Sequence, residues 1–450
     1  MTEPELDAAI RWKARLCKFD GNLSTSIKPI VSGKLTRIVG QTLEAVGCEA
    51  ALGDRCLIER PDGESLIADV VGFENSRIFL MPSFQPSGLA PNARVSPIGG
   101  RANAAVGFGL LGRVLNGVGE ALDGRGPVET SAYWPLAGVT RNPLDRQIIN
   151  NQLDVGIRSV NALISVGRGQ RLGLFAPSGV GKSVLLSMMA RYTDADVIVV
   201  ALIGERGREV QEFIEENLGP ESLARAVVVA VPADTQPIMR IRGAELASSV
   251  AEFFRAQGKH VLLLMDSLTR YAQARREISL TMGEPPATRG YPPSVFAELP
   301  KLVERAGNGT ASEGSITAFY TVLTDVDQDN DPIAEAARAI LDGHIILSRD
   351  LAERGLYPAI DIESSVSRVV NRIVSPEQLK FSRAFKKFYS VFESNRDLFS
   401  IGAYQAGGNL ELDKAVELYP QLESFLNQQM HEPVDIFSAQ QQLAQIFTPQ

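Results

Sequence analysis

Hydrophobic positions change texture three times along the chain. From about 25 to 95 they form short β-rich runs, "GKLTRIVG", "DRCLIER", "SLIADVVGF" and "RIFLMP", broken at close intervals by Gly, Pro, Asp and Asn. Short strands with regular turn signals predict a small barrel or sandwich. "PSGLAPNARVSPIGG" reads as a loop-rich passage out of it. From about 145 to 350 the runs are continuous: "RLGLFA", "DVIVVALIG", "AVVVAVPA", "HVLLLMD", "SITAFYTVL" and "GHIILS". Such runs predict strands buried on both faces of a mostly parallel sheet. Helical stretches such as "KSVLLSMMARY", "REVQEFIEEN", "GAELASSVAEFFRAQ" and "DPIAEAARAILD" lie between them. That alternation puts ligands at the carboxyl ends of the strands. After Ser375-Pro376 the chain turns helical and more polar, to a Gln-rich end. At the start, Leu6, Ile10 and Leu16 among charges predict a short amphipathic helix, either a frayed terminus or a segment that docks a partner.

Composition narrows the class. A chain of 450 residues, 44% hydrophobic and 22% charged, has room for two or three domains with a sizeable core. A formal net charge of -8 argues against wrapping nucleic acid, although local basic stretches can still bind phosphate. Cys17, Cys48 and Cys56 have neither metal-ligand nor disulfide-framework spacing, which fits inert thiols in a reducing compartment. His260, His344 and His431 give no metal signature. The charged N-terminus lacks the apolar core of a signal peptide, and no apolar run reaches membrane-spanning length, so the expected location is cytoplasmic.

The chemistry concentrates at three strand ends. "RLGLFA" leads into "PSGVGKS" and a helix, the strand–loop–helix context of a phosphate-binding loop. The usual first glycine is replaced by Ala176, at the strand-to-loop junction where a small residue can suffice. Pro177 offers no N–H there. The candidate nucleotide-binding set is Pro177, Ser178, Gly179, Val180, Gly181, Lys182, Ser183 and Val184. Gly179 and Gly181 let backbone N–H groups turn toward phosphate oxygens. Lys182 is placed to reach the β- and γ-phosphates, and the Ser183 hydroxyl to bind Mg²⁺. In "VVALIGERGREVQEFIEE", Glu205 follows a buried strand, where a carboxylate can orient and polarise a water attacking a γ-phosphate. Arg206, Arg208 and Glu209 beside it read equally as a solvated ion-pair cluster. In "HVLLLMDSLTR", Asp266 is the candidate second metal-holding group; a strand-end Asp can also be a helix cap, as can Ser267 or Thr269. In "RGLYPAIDIESSVSRVV", Tyr357 is either a base-stacking or a half-buried core tyrosine, and Arg368 either a surface arginine or an arginine finger.

With these stretches in view, the chain resembles the flagellar export ATPases, the type III secretion branch of the family that includes the rotary ATP synthase catalytic subunits. The resemblance covers about residues 25 to 430. It is carried by "LDVGIRSVNALISVGRGQRLGLFAPSGVGKS", "ALIGERGREVQEFIEE", "TRGYPPSVFAELPKLVERAG", "DPIAEAARAILDGHIILSRDLAERGLYPAIDIESSVSRV" and "IGAYQAGGNLELDKAV". Pro358 to Ser367 alone matches the signature of the ATP synthase α/β family. The resemblance implies a multidomain α/β fold: an amphipathic segment (1–24), a small N-terminal β-barrel (25–95), a central RecA-like parallel-sheet ATPase domain (96–375) and a C-terminal helical domain (376–450). It also implies ATP and Mg²⁺ as ligands, with Lys182, Glu205 and Arg368 in catalysis, Ser183 and Asp266 at the metal, and Tyr357 on the adenine. Glutamate at 205 separates this chain from the non-catalytic α subunits, which carry glutamine. The chain reads "GERGREV" rather than "GERTREG" and has no counterpart of the "DELSEED" segment of the rotary catalytic subunits. Ala176-Pro177 stands where Ala-Gly is commoner in flagellar members.

The implied assembly is a homohexamer with sites between subunits. Its implied partners are a stalk protein in the ring, a stator-like regulator on the N-terminal segment, export-gate membrane proteins and chaperone–substrate complexes, but no nucleic acid. Its implied place is the cytoplasmic face of the inner membrane at the flagellar base. The ATPase of a virulence injection system shares every motif above. A hexameric RNA helicase of the transcription-terminator type shares the core and a "GER" glutamate, but the acidic balance argues against it. A non-enzymatic structural subunit is the remaining alternative.

Overall fold

The computed structural model describes residues 30–324 and 331–448; the expected amphipathic segment lies outside them. The described residues divide into two compact units. The first ends at Gly100, and the second runs from Arg101 onward and includes Ser83–Gln85.

The first unit is a closed barrel of β1 (Gly33–Val39), β2 (Thr42–Val46), β3 (Asp54–Glu59), β4 (Ser65–Glu74), β5 (Arg77–Pro82) and β6 (Arg94–Arg101), in the order β1-β2-β5-β4-β3-β6. Inward Leu35, Leu43, Ile58, Leu80 and Val95 form its core. The passage read as loop contains β6, whose Val95 pairs with Gly33 and is fully buried. Closure needs this strand despite its weak local signal. The expected domain limit at 95 falls inside it.

In the second unit come β7 (Asn103–Val106), β8 (Arg113–Leu115), β9 (Ala132–Pro135), β10 (Arg171–Ala176), β11 (Val197–Ile203), β12 (Ala226–Val231), β13 (His260–Asp266), β14 (Gly307–Asn308), β15 (Ser315–Leu323), β16 (Gly343–Leu347) and β17 (Ile360–Ser367). The main sheet runs β17-β16-β10-β15-β13-β11-β12-β8, with β14 paired to β15. From β16 to β8 every neighbour is parallel, while β17 is antiparallel to β16. Every residue of β11 and β12 is buried, as continuous apolar runs require.

The main helices are α1 (Lys182–Tyr192), α2 (Pro237–Ala256), α3 (Leu268–Thr281), α4 (Pro332–Ile340), α5 (Pro376–Ser394), α6 (Leu410–Leu426) and α7 (Ile436–Phe447). Side-chain caps start most of them: Ser267 before α3, Asp331 before α4, Ser375 before α5, Asn409 before α6 and Asp435 before α7. Proline at the first turn of α4 and α5 wastes no donor. Phe385 of α5, Leu422 and Phe425 of α6 and Leu443 of α7 share one core with Leu172 and Leu174 of β10. The C-terminal helices are therefore continuous with the sheet layer rather than tethered beside it.

Candidate active site

Strand β10 ends at Ala176, which is fully buried, paired with Leu323 of β15, and accepts a hydrogen bond from the Thr324 N–H at 3.1 Å. Position 176 is thus regular strand, and a glycine's freedom is not needed. The freedom is needed further on, where Gly179 and Gly181 take φ of 82° and 90°. Between them the chain reverses so that α1 starts at Lys182 with its N-terminal N–H groups facing the loop. Pro177 is buried at the start of the turn, and Ser183 is exposed on the first turn of α1.

The carboxyl ends of β11, β13 and β15 converge on Lys182. Its Nζ lies 2.6 Å from Asp266 Oδ1 and 3.3 Å from Glu205 Oε1. The Thr321 hydroxyl of β15 donates to the same Asp266 Oδ1 at 2.6 Å. Asp266 is therefore not the helix cap; Ser267 is, accepting from the Arg270 N–H, while Thr269 Oγ1 accepts from the Leu323 N–H at 3.0 Å. Burial opposes the charge on Lys182, but Asp266 and Glu205 outweigh it and hold its pKa above the ordinary lysine value. Glu205 is pushed up to about 7, first by burial and then by the charge of Asp266, with Lys182 pulling the other way. Gly204 before it has φ 74° and lies against Arg270, whose Cβ stands 3.0 Å from where a glycine-204 Cβ would be. Arg206 is well exposed and pairs with Glu209 at 3.5 Å, which settles that part of the motif as a solvated pair.

No group of three or more His, Cys, Asp or Glu side chains able to hold a metal occurs among the described residues. The donor set still fits Mg²⁺. Both hydrogen bonds to Asp266 fall on Oδ1, leaving Oδ2 free among the described residues. Ser183 offers a hydroxyl at the loop, and Mg²⁺ ordinarily takes one or two protein oxygens, phosphate oxygens and waters.

Beside the loop is a cavity of about 320 Å³, at the lower end of the roughly 300–1,000 Å³ usual for small-molecule sites. Val180, Val184 and Met188 form one wall, and Tyr357 and Leu347 another. The Tyr357 ring lies 3.7 Å from where a Cβ on Gly181 would stand. A third wall, Asn427 to Met430, comes from the C-terminal helical region. Sequence reasoning misses this wall, which carries no pattern of its own. It also misses Thr321, although a hydroxyl in the apolar run "SITAFYTVL" is a usable signal.

Arg368 does not join this constellation. It follows β17, whose Ser367 pairs with Gly343 at the amino end of β16, opposite to the edge that carries the loop. It is exposed there and donates from Nη2 to the Arg338 carbonyl at 3.1 Å.

Residues 156–367 match the ATP synthase alpha/beta family, nucleotide-binding domain, and residues 374–445 the T3SS EscN ATPase C-terminal domain. The flagellum-specific ATP synthase of Pseudomonas aeruginosa is 55% identical over 435 residues, covering 96% of each chain. The chain belongs to the ATP synthase alpha/beta family. Within that family its structural likeness is to the type III secretion branch. The assembled ATPase EscN of enteropathogenic E. coli superposes with a TM-score of 0.88 at 39% identity, over 92% of this chain and 100% of that one. EscN in complex with its central stalk EscO gives a TM-score of 0.85 at the same identity and coverage. All of the strand-end chemistry described above lies within the matched nucleotide-binding stretch of this family, and the loop wall 427–430 lies within the matched C-terminal stretch.

Proposed function

We propose that this chain is a Mg²⁺-dependent ATPase whose turnover energises export of flagellar proteins through a type III secretion apparatus. The observation that carries the reading is Lys182 Nζ bridging Asp266 and Glu205 at the carboxyl edge of the sheet, directly after a phosphate loop. In that arrangement the two carboxylates hold the lysine beside the loop whose phosphates it would bind. When ATP enters, Lys182 turns to the phosphates, together with the N–H groups of residues 179 to 184. Glu205 is then released to accept a hydrogen bond from the attacking water and to polarise it. Ser183 and Asp266 would hold Mg²⁺, which would supply charge neutralisation at the phosphate oxygens. Tyr357 and the cavity beside it take the adenine.

Arg368 completes the chemistry from a neighbouring copy. Strand β17 has eight residues, roughly 25 Å at the usual rise, and Arg368 leaves it at the edge away from its own loop. An arginine placed there can stabilise transition-state charge only at another subunit's nucleotide. A homohexameric ring around a stalk protein is supported by the likeness to assembled EscN and to EscN in complex with its central stalk EscO. The flagellar assignment over a virulence system is supported by 55% identity to a flagellum-specific relative against 44% to a type 3 secretion system ATPase of Xanthomonas euvesicatoria. Docking of the N-terminal segment on a stator-like regulator, and work at the membrane-embedded gate on chaperone–substrate complexes, belong to the same proposal. No helix among the described residues is long and apolar enough to cross a membrane.

Deleting the gene tests the reading. Swimming and filament assembly should be lost, and restored by the parent chain but not by a Lys182→Ala chain. Normal swimming after deletion would overturn the flagellar assignment.

A further inference from the structure

Arg158 is an arginine buried in the second unit, and its environment is unusual for a core cation. It is 9% exposed. Among the described residues its ion-pair partner is Glu432, reached through Nη2. Nη1 donates to the carbonyls of Ser424 (3.3 Å), Phe425 (3.2 Å) and Asn427 (3.1 Å), and the guanidinium lies 5.9 Å from the Phe425 ring centroid, while buried Nε has no hydrogen-bond partner among the described residues. These are the carbonyls of the last turn of α6 and the residue after it, groups that no helix can satisfy internally and that carry its negative dipole end. A guanidinium from a segment more than 250 residues away in sequence thus acts as the C-cap of α6.

The clamp continues through the next residue. The Arg158 N–H donates to Gln428 Oε1 at 2.7 Å, and Gln428 Nε2 donates to the Gly156 carbonyl at 2.8 Å. The Gln428 N–H donates to the Tyr357 carbonyl at 2.8 Å, and the Gln429 N–H to Glu432 Oε2 at 3.3 Å. The loop fixed in this way, Asn427 to Met430, is the third wall of the cavity beside the phosphate loop. A buried charge is costly unless compensated, so a clamp built on arginine is a specific device rather than filler.

We propose that Arg158 is a positioning residue for nucleotide-base recognition: it holds the C-terminal wall of the cavity against Tyr357, so that base affinity depends on it while phosphate affinity does not. The inference rests on the reading that this cavity takes the base. It separates two halves of one site by what maintains them. The phosphate half is maintained by strand ends of the sheet, and the base half by a clamp between the sheet region and α6.

The test compares ATP with inorganic tripolyphosphate, which has the phosphates and no base, by competition binding and steady-state hydrolysis in Mg²⁺. Arg158→Met keeps an unbranched apolar stem and removes the donors. Its KM for ATP should rise about tenfold, with kcat within twofold and tripolyphosphate affinity unchanged. Arg158→Lys, which restores charge and donors, should recover part of the loss. An unchanged KM, or a parallel loss of tripolyphosphate affinity, would overturn the proposal. If Arg158→Met does not fold, Glu432→Gln decides. It should raise the KM for ATP about threefold with tripolyphosphate unmoved, and no rise overturns the proposal. Tyr357→Ala in the same assay separates the two readings. If it leaves the preference for ATP over tripolyphosphate intact, the base-cavity reading has failed; if it lowers the preference and Arg158→Met does not, only the clamp has failed.

Discussion

Tyr357 and Arg368 flank the same strand, yet the first has its ring 3.7 Å from a Cβ position on the phosphate loop and the second lies exposed against the Arg338 carbonyl at the opposite edge of the sheet. The carboxyl edge gathers everything that acts within one chain: the loop, Lys182, Glu205, Asp266 and Thr321, with hydrogen bonds of 2.6 Å to 3.3 Å among their side chains. At the amino edge Arg368 lies exposed, apart from these groups. A strand antiparallel to its neighbour β16 is what makes this division, because it carries the chain from one edge to the other within eight residues. The contrast teaches that topology alone keeps Arg368 away from its own chain's phosphate loop, so the finger role proposed for it requires a neighbouring copy.

The strongest way to break that contrast is Arg368→Ala. Loss of a finger that stabilises transferring phosphoryl charge should lower kcat by about 10³-fold, with ATP binding to the isolated chain unchanged. Mixing this variant with Lys182→Ala chains should restore part of the activity, since some interfaces then combine an intact loop with an intact arginine. Recovery absent from rings shown to be mixed would mean that Arg368 does not act across an interface.

Glu205→Gln addresses the other edge. The amide keeps the shape but cannot accept the proton-sharing hydrogen bond of the water as a carboxylate does, so hydrolysis should fall about 10²–10³-fold. ATP affinity should hold, because the loop and Lys182 remain; removing a carboxylate from beside that lysine frees it for phosphate. Phosphate release and equilibrium binding measured on one preparation check both halves. Turnover equal to the parent's would remove Glu205 from the mechanism. Mixing with Arg368→Ala chains should rescue here also, which makes the two variants complementary probes of one division.

The carboxyl edge is also the part most legible in sequence, for a physical reason. Glu205 and Asp266 close continuous apolar runs and Lys182 follows one across the phosphate loop, so hydrophobicity marks their places, whereas Thr321 is hidden inside such a run. The amino edge has no such marker. β17 alternates buried Ile362 and Ser365 with exposed Glu363, Ser364 and Val366, as an outer strand of the sheet does, and reads as a polar turn. β2 and β6 of the barrel are hidden for a related reason: they are short or carry proline and glycine, and long-range pairing rather than local propensity makes them strands. The cavity wall 427–430 and its contacts with Arg158 are illegible because they join segments far apart in the chain, and only the tertiary fold brings them together.

The smallest effect concerns Pro177, the one departure within the loop. The structure places it buried, next to an Ala176 whose carbonyl is already committed to Thr324. Proline there fixes φ and limits the freedom of a loop that must be ordered around phosphate, at the cost of a backbone donor. Pro177→Gly returns the donor but adds conformational freedom, an entropic change of about 0.4–1 kcal/mol in comparable substitutions. Since β10 and β15 hold Ala176 in register without help from residue 177, a new N–H at the turn's start would point where the strand has no phosphate to meet. Freedom should therefore outweigh the donor, weakening ATP about two- to fivefold while kcat stays within twofold. Tighter binding by the glycine variant would show instead that the missing N–H matters more than rigidity, and that the loop's cradle extends one residue further toward the strand.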